Sequence, residues 1–596
     1  MESIFPILWS VLILKPYLNS FGKEILIKAV AQSIPTYTIC VFQLSMKLYD
    51  ELDAMCAKFW WGQVGNERKI HWRRWDKLAT PKKGGMGFRD LRAFNLTMLA
   101  KQGWRLLQED DSLLFKCFKA RYFPRSNFLE AVVSPNCSFV WRSTMAALPI
   151  LKKRCCWRVG DGYSIRVHED RWIPNHPTNK VLYPASEDTD GMLVVDLLDL
   201  DLHCWRRELI TSLFHTDDAE AICSIPLSHR HVPDILLWMY NKNGMFSVKS
   251  AYRVAVQIQK GEKWAENSNG YAEKQVWNAL WKLHIPNKIK VFGWRACQEI
   301  LPTRLNLVKR RILHDDICPN CTRFPESTVH VLWDYGVAVD VWAGSSLKLQ
   351  KCTHDQADMI ELMEYLLSRL SLQEMELFLV QAWILWNQRN KLLHGGKIQD
   401  PNMLCKRAVE YLEEYQNSQV NLLVDGVVRS IGDVWKPSPN SVFKLNFDAA
   451  VFVEAKRTGF GAIIWNDKGE VMAAMSAGGP QVSSSKEVEL LACRKAVEFT
   501  TDARFSELVI EGDNSNVMKA LSSSSVDQSL LGNVVDDVRH LVCGMHWVNF
   551  SCIRRGGNRV AHALAQHARN ISEDVFWMED SPPPALNALC HDSLLL

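Results

Sequence analysis

At 596 residues the chain exceeds what one hydrophobic core can hold, so several domains are expected. Its 47% hydrophobic and 23% charged residues are those of a soluble globular protein, and a net charge of +4 excludes a strongly basic or acidic one. Seventeen cysteines, an odd number without framework spacing, fit an intracellular reducing compartment (nucleus or cytoplasm) better than secretion.

The first stretch, Ile4 through Leu14, is apolar. No basic segment precedes it, no small-residue cleavage site succeeds it cleanly, and it is too short to span a bilayer. A buried helix, or an artefact at the start of a fragment, is a better reading than a targeting signal, and no membrane partner is expected. Residues 1–18 stand apart from the rest of the chain. Residues 19–175 are rich in Trp and basic residues. The run Lys69-Ile70-His71-Trp72-Arg73-Arg74-Trp75 leads to Lys82-Lys83. Lys69, Arg73 and Arg74 interleaved with aromatics suit phosphate contact plus base stacking. A solvated helix with its tryptophans turned inward explains the same pattern. Residues 176–240 read as a connector with short helices. Residues 241–345 are strongly patterned, with apolar residues at helical spacing from Val276 to Cys297 and a break at Pro286. Residues 346–434 are a mostly helical linker. The Pro-rich stretch 435–440 marks a boundary, 441–570 alternates strand and helix patterns, and the tail 571–596, with Ser581-Pro582-Pro583-Pro584, is expected to be disordered. The fold class is therefore multidomain, mostly α in the N-terminal and middle regions and α/β at the C-terminus.

Cys318-Pro319-Asn320-Cys321 is a CxxC, and His330 comes after it in an apolar run. Two thiolates and an imidazole are three of the four ligands a closed zinc site needs, and Asp334 or Tyr335 stands where a fourth is wanted. A pair of unligated thiols in a turn is the alternative. The Asp315-Asp316 pair just before it reads as a polar turn.

Three acids in the last quarter carry the strongest signal. Asp448 ends the alternating run Phe443-Lys444-Leu445-Asn446-Phe447-Asp448, Glu489 lies in an amphipathic run opened by a Ser484/Glu487 capping box, and Asp513 succeeds the strand-like Leu508-Val509-Ile510-Glu511-Gly512. Carboxylates at buried strand ends are costly, and a hard divalent cation gives them a reason. Singly, each has an ordinary reading as turn, solvated helix position or N-cap. Together, in strand–helix–strand order, they point to two-metal phosphodiester hydrolysis. Arg554 and Arg555, in the basic loop Arg554-Arg555-Gly556-Gly557-Asn558, would hold phosphates, with Asn558 beside them.

Residues 440–570 resemble the type 1 ribonuclease H-like domain at the C-terminus of plant non-LTR retroelement proteins. The resemblance is carried by Asn446-Phe447-Asp448-Ala449-Ala450, Gly459-Phe460-Gly461-Ala462-Ile463-Ile464, Glu489-Leu490-Leu491-Ala492, Glu511-Gly512-Asp513 and Asn558-Arg559-Val560-Ala561-His562-Ala563-Leu564-Ala565. It implies a mixed five-stranded sheet with helices, catalytic acids at Asp448, Glu489 and Asp513, Mg²⁺ or Mn²⁺ as cofactor, and an RNA–DNA hybrid as partner. The fourth catalytic position falls at His562, a softer ligand that Mn²⁺ tolerates better than Mg²⁺. Upstream, Leu280-Trp281-Lys282-Leu283, Pro286-Asn287-Lys288-Ile289-Lys290, Trp294-Arg295-Ala296 and Leu301-Pro302-Thr303-Arg304 resemble the reverse-transcriptase zinc-binding domain of the same elements. That resemblance implies Zn²⁺ on Cys318, Cys321 and His330, with Tyr335 in the place of the last Cys. Segments such as Phe59-Trp60-Trp61-Gly62 and Gly87-Phe88-Arg89-Asp90-Leu91 resemble the region downstream of the polymerase site. The polymerase fingers and palm are missing, so no reverse-transcriptase activity is expected. Three readings result: a ribonuclease acting on RNA–DNA hybrids, a catalytically inactive nucleic-acid-binding remnant, and a scaffold using its helical middle for protein contacts.

Overall fold

The computed structural model describes residues 20–593, apart from 64–66, 83, 109–110, 175, 185–188, 262–269, 346–348, 350–355, 421–435, 439–441 and 483. The unmatched start, 1–18, and part of the 435–440 boundary lie outside the described residues. The chain forms two compact units, each assembled from separate stretches of sequence. Among the described residues no helix is long and apolar enough to cross a membrane.

The first unit comprises residues 1–106, 112–150 and 251–426 and is helical. Its main helices are α1 (Met46–Trp61), α2 (Leu91–Leu107), α3 (Gly270–Lys282), α4 (Asn287–Cys297), α5 (Leu372–Leu393) and α6 (Pro401–Val420). The break expected at Pro286 is present: Pro286 stands at the N-cap of α4, where its missing N–H costs nothing. The core is unusually aromatic, with Trp277, Trp294 and Phe378 fully buried. Trp72 and Trp75 pack against that core, and Trp75 stacks on Phe88 at 4.8 Å between ring centroids. The tryptophans thus turn inward, but residues 67–74 are irregular rather than helical. Helix α5 opens with a complete capping box, Ser371 with Glu374.

The second unit comprises residues 107–111, 151–250 and 427–596. Residues 155–238, which include most of the expected connector at 176–240, have a buried cluster of their own around Ile165, Trp172, Val194 and Trp205. Strands β1 (Cys155–Arg158) and β2 (Ile235–Trp238) pair antiparallel at its base. The Asp234 carboxylate accepts the amides of Gly160, Gly162 and Ser164 there. Asp537, almost fully buried, accepts Ser228 Oγ, Arg230 Nε and Arg494 Nη1, so residues 228–230 are held to the C-terminal domain by charge-assisted bonds.

The C-terminal domain is a six-stranded sheet in the order β8-β5-β4-β3-β6-β7, with β3 (Phe443–Phe452), β4 (Arg457–Trp465), β5 (Val471–Gly479), β6 (Glu507–Gly512), β7 (Trp547–Cys552) and β8 (Val575–Met578). β3 to β5 form an antiparallel meander, with the expected turn at Asn466–Gly469. β6 pairs parallel with both β3 and β7. Helices α7 (Ser485–Asp502), α8 (Ser515–Ser522) and α9 (Gly532–Cys543) share a core with Leu445, Phe447 and Ile464, whereas α10 (Arg559–His567) packs with Ile463, Trp465 and Ala474. The sheet has one strand more than the five expected. β8 extends the edge beside β5, and α11 (Leu586–Ser593) comes next, so the tail read as disordered is ordered through residue 593. Its Pro582-Pro583-Pro584 starts a short 3₁₀ turn whose Ala585 joins the core beside α10.

Candidate active site

The sheet's central strands position two of the acids. Along β3, Lys444, Asn446 and Asp448 share one face, because side chains alternate with a period of two. Asn446 is the register partner of Glu511 on β6, and Asp513 lies two residues beyond Glu511, at the strand's end. Glu489 comes from the first turns of α7, whose start is fixed by Ser484 Oγ accepting the Glu487 amide at 3.2 Å. Oxygen atoms of Asp448, Glu489 and Asp513 all lie within 4.8 Å of one another.

Beneath them runs a buried polar layer. Lys444 Nζ pairs with Glu511 Oε1 at 3.2 Å, and Asn446 Nδ2 donates to Glu511 Oε2 at 3.3 Å. Asn446 Nδ2 also reaches Asn558 Oδ1 at 3.4 Å, and Asn558 Nδ2 donates to the Phe447 carbonyl at 2.9 Å. Asn558, expected at the nucleic-acid surface, is instead 3% exposed, and its amide is spent on tying the start of α10 to the strand bearing Asp448. Glu511, Lys444 and Asn446 carry no functional expectation from sequence. Their period-two spacing ahead of Asp448 and Asp513 was the available signal.

Close packing of a helix on the sheet places the remaining group. α10 lies so near β4 that a Cβ on Gly461 would meet the Ala561 carbonyl oxygen at 2.2 Å, and one on Gly459 the Ala565 carbonyl oxygen at 2.3 Å. Only glycine permits this approach. His562 thereby comes over Asp448, Nδ1 to Oδ2 at 2.7 Å, while its side chain stays 58% exposed. Arg555 Nε contacts Asp513 Oδ2 at 3.2 Å from an otherwise exposed position.

The electrostatics are those of crowded, partly buried carboxylates. Burial, and then the charges of Asp448 and Asp513, push the Glu489 carboxyl from 4.5 up to about 8, against a pull from Arg555. Burial also raises Asp448, opposed by its bonds to the Ala449 amide and His562. Glu489 Oε2 is buried and has no hydrogen-bond partner among the described residues. Three carboxylates this close, one with an orphaned buried oxygen, fit a divalent cation that takes oxygen donors. Glu489 also makes a stability prediction. A carboxyl raised in the folded state is protonated there when the unfolded chain has already lost its proton, so folded stability falls as pH rises from about 4.5 to about 8. Glu489→Gln removes that loss. In metal-free buffer the variant should match the wild type near pH 4 and unfold at clearly higher denaturant near pH 8. Equal midpoints at both pH values would refute the assignment.

A second cluster lies in the first unit. Cys318, Cys321 and His330 have donor atoms within 4.8 Å of one another, and Cys321 Sγ lies 3.4 Å from His330 Nε2. Burial raises the Cys318 thiol. At Cys321 burial pushes upward, but hydrogen bonds from the amides of Arg323 and Phe324 outweigh it and lower the thiol. His330 opens a π-helical turn, His330–Asp334, that ends at Tyr335. The Tyr335 ring is 6.1 Å from that of His330, beside the three donors but outside their cluster. Two sulfurs and an imidazole suit Zn²⁺. Glu326, fully buried between the two cysteines and the histidine in sequence, receives Arg389 Nε at 2.9 Å and Arg389 Nη2, plus the Arg304 amide at 2.8 Å. This ion pair anchors the cysteine loop to α5.

The basic N-terminal run is more dispersed. Arg73 donates to Gln298, Arg74 pairs with Asp76 at 3.2 Å, and Lys69 pairs with Glu67 at 3.3 Å, the last two at exposed positions. Arg554 lies in the loop ahead of α10, next to Arg555.

Residues 446–568 match the family described as reverse transcriptase-like, and residues 246–342 match zinc-binding in reverse transcriptase. A "Putative ribonuclease H protein" of Arabidopsis thaliana is 25% identical over 600 residues, covering 97% of this chain and 93% of that protein. An uncharacterized mitochondrial protein of the same plant is 38% identical over 143 residues, 24% of this chain and 93% of its own length. Among solved structures, ribonuclease H1 of the archaeon Halobacterium salinarum is 23% identical and LC11-RNase H1 from compost 18%. Each covers 22% of this chain, with 97% and 96% of its own length and a TM-score of 0.20. The ribonuclease H-like domain marks a protein that works on nucleic acid, and the chain belongs to the retroelement-derived proteins that carry a reverse-transcriptase zinc-binding domain ahead of a C-terminal ribonuclease H-like domain.

Proposed function

We propose that the C-terminal domain hydrolyses the RNA strand of RNA–DNA hybrids with two divalent cations, and that the chain has no polymerase activity. The observation that carries this reading is the convergence of Asp448, Glu489 and Asp513 around the unpartnered oxygen of Glu489. Those three side chains would hold Mg²⁺ or Mn²⁺, which when bound supplies Lewis-acid charge for phosphodiester hydrolysis. Asp448 is held in place by His562 and by the Asn558 tie behind it. Arg555, free to swing out from Asp513, and Arg554 can take substrate phosphates. The first unit would keep Zn²⁺ on Cys318, Cys321 and His330 as a structural ion, with Lys69, Arg73 and Arg74 as further phosphate contacts. The purified chain is to be incubated with a labelled hybrid in Mg²⁺ and, separately, in Mn²⁺. Metal-dependent cutting of the RNA strand supports the proposal. Intact hybrid in both ions, from folded protein that still binds it, leaves a non-catalytic nucleic-acid-binding remnant.

His562 in place of a fourth carboxylate favours that second reading and makes a separate prediction. His562→Asp restores a hard oxygen donor beside Asp448 and should raise the initial rate in Mg²⁺ by about tenfold or more, with a smaller change in Mn²⁺. An unchanged ratio between the two ions would show that position 562 does not govern metal choice.

A further inference from the structure

A cavity of about 690 Å³ lies in the first unit, where the end of α5 meets the start of α6, and it belongs to neither metal cluster. Its lining includes Trp383, Asn387, Asn390, Lys391, His394 and Arg407. Among the described residues no acid lines it, and its charged side chains, Lys391 and Arg407, are both basic and exposed. Neither makes an ion pair among the described residues. Glu410, one turn on from Arg407 along α6, pairs with Lys406 at 3.8 Å, so Lys391 and Arg407 leave the concave surface locally positive.

The walls are rigid. Lys288 Nζ sits 4.6 Å above the Trp383 ring and 5.2 Å from that of Tyr411, whose ring is 5.7 Å from Trp383, so the indole is clamped by cation–π and aromatic contacts. Asn390 Oδ1 accepts Arg389 Nη1 at 3.0 Å, and Arg389 is itself locked by Glu326. Asp400, next to the lining residue Gln399, accepts the Asn402 amide at the start of α6. A fixed aromatic wall, two side-chain amides and these two cations are the groups that recognise a nucleotide: a π surface for the base, donor–acceptor pairs for its edge, and positive charge for phosphate.

We propose that this cavity takes one nucleotide of a single-stranded nucleic acid, with the base beside Trp383, Asn387 and Asn390 and the phosphates on Lys391 and Arg407. A duplex does not offer such a ligand, because its bases stay stacked inside the helix. The site is independent of the nuclease acids.

The test uses the full chain and fluorescein-labelled oligodeoxythymidylate of about twenty nucleotides, which keeps RNA hydrolysis out of the experiment. Anisotropy titrations between roughly 50 and 300 mM salt give Kd and its salt slope. Lys391→Glu/Arg407→Glu should weaken binding at least tenfold and flatten the slope of log K against log salt by about 1.4, two contacts at about 0.7 each for a single strand. Both side chains are exposed and make no ion pair, so circular dichroism should be unaltered. Asn387→Leu should weaken binding severalfold at unchanged slope. Equal Kd and slope in wild type and the double variant, or no binding by wild type at the lowest salt, overturns the proposal. Hybrid hydrolysis is read in a different assay, so the two proposals fail separately.

Discussion

Asp448→Asn is expected to reduce metal-dependent cutting of a hybrid's RNA strand by about a hundredfold to a thousandfold, the order of loss seen when a group that manages transition-state charge is removed. The change is nearly isosteric, and the His562 Nδ1 contact can persist with a neutral amide. Binding of the hybrid should therefore stay close to that of the wild type. The same substitution removes one of the two charges that raise Glu489, so in metal-free buffer the variant should unfold at higher temperature than the wild type. Activity loss with gained apo-stability is the signature of a metal ligand. Activity loss with lost stability would mark Asp448 as a structural residue, and surviving activity would move the site elsewhere.

The second large effect is on folding. Arg389→Ala leaves the carboxylate of Glu326, which is fully buried, without its guanidinium, and breaking such a pair from one side costs about 3–5 kcal/mol. Because Glu326 lies between Cys321 and His330, the variant should also lose the zinc proposed to sit there. Denaturant unfolding together with zinc analysis of the purified protein reads both. Replacing the two partners at once, Arg389→Met with Glu326→Met, removes the uncompensated charge and should recover most of the stability. If the double variant is as unstable as the single one, the pair is not what holds the loop.

Much of the C-terminal domain is legible in the sequence because its signals are local. The alternation around Asp448, the turn at Asn466–Gly469 and the cap at Ser484 each fall within a few residues, and the three acids ride on those elements. What stayed hidden is set by partners far apart. The Asn446–Asn558 and Lys444–Glu511 bonds join residues 112 and 67 positions apart, so Asn558 looks like a surface residue of a basic loop. β8 is four residues long and half exposed, too short for a periodicity to show, and it forms because β5 offers an edge. The cluster around Trp172 and Trp205 is built from short irregular segments, which is why 176–240 reads as a connector. The CxxC and His330 are readable by type, but their approach depends on a π turn that no local pattern announces.

The contact between β4 and α10 has one more consequence. Since Gly459 and Gly461 let main chain rest on main chain, the seat of α10 does not depend on which side chain stands at position 562. The residue there points out over Asp448 without supporting the helix that carries it. On the proposed reading of position 562, ion preference is thus separable from foldability: carboxylate and imidazole could be exchanged there with the scaffold unaltered. A methyl group at Gly461 would do the opposite, leaving every ligand in the sequence while lifting the helix off the sheet.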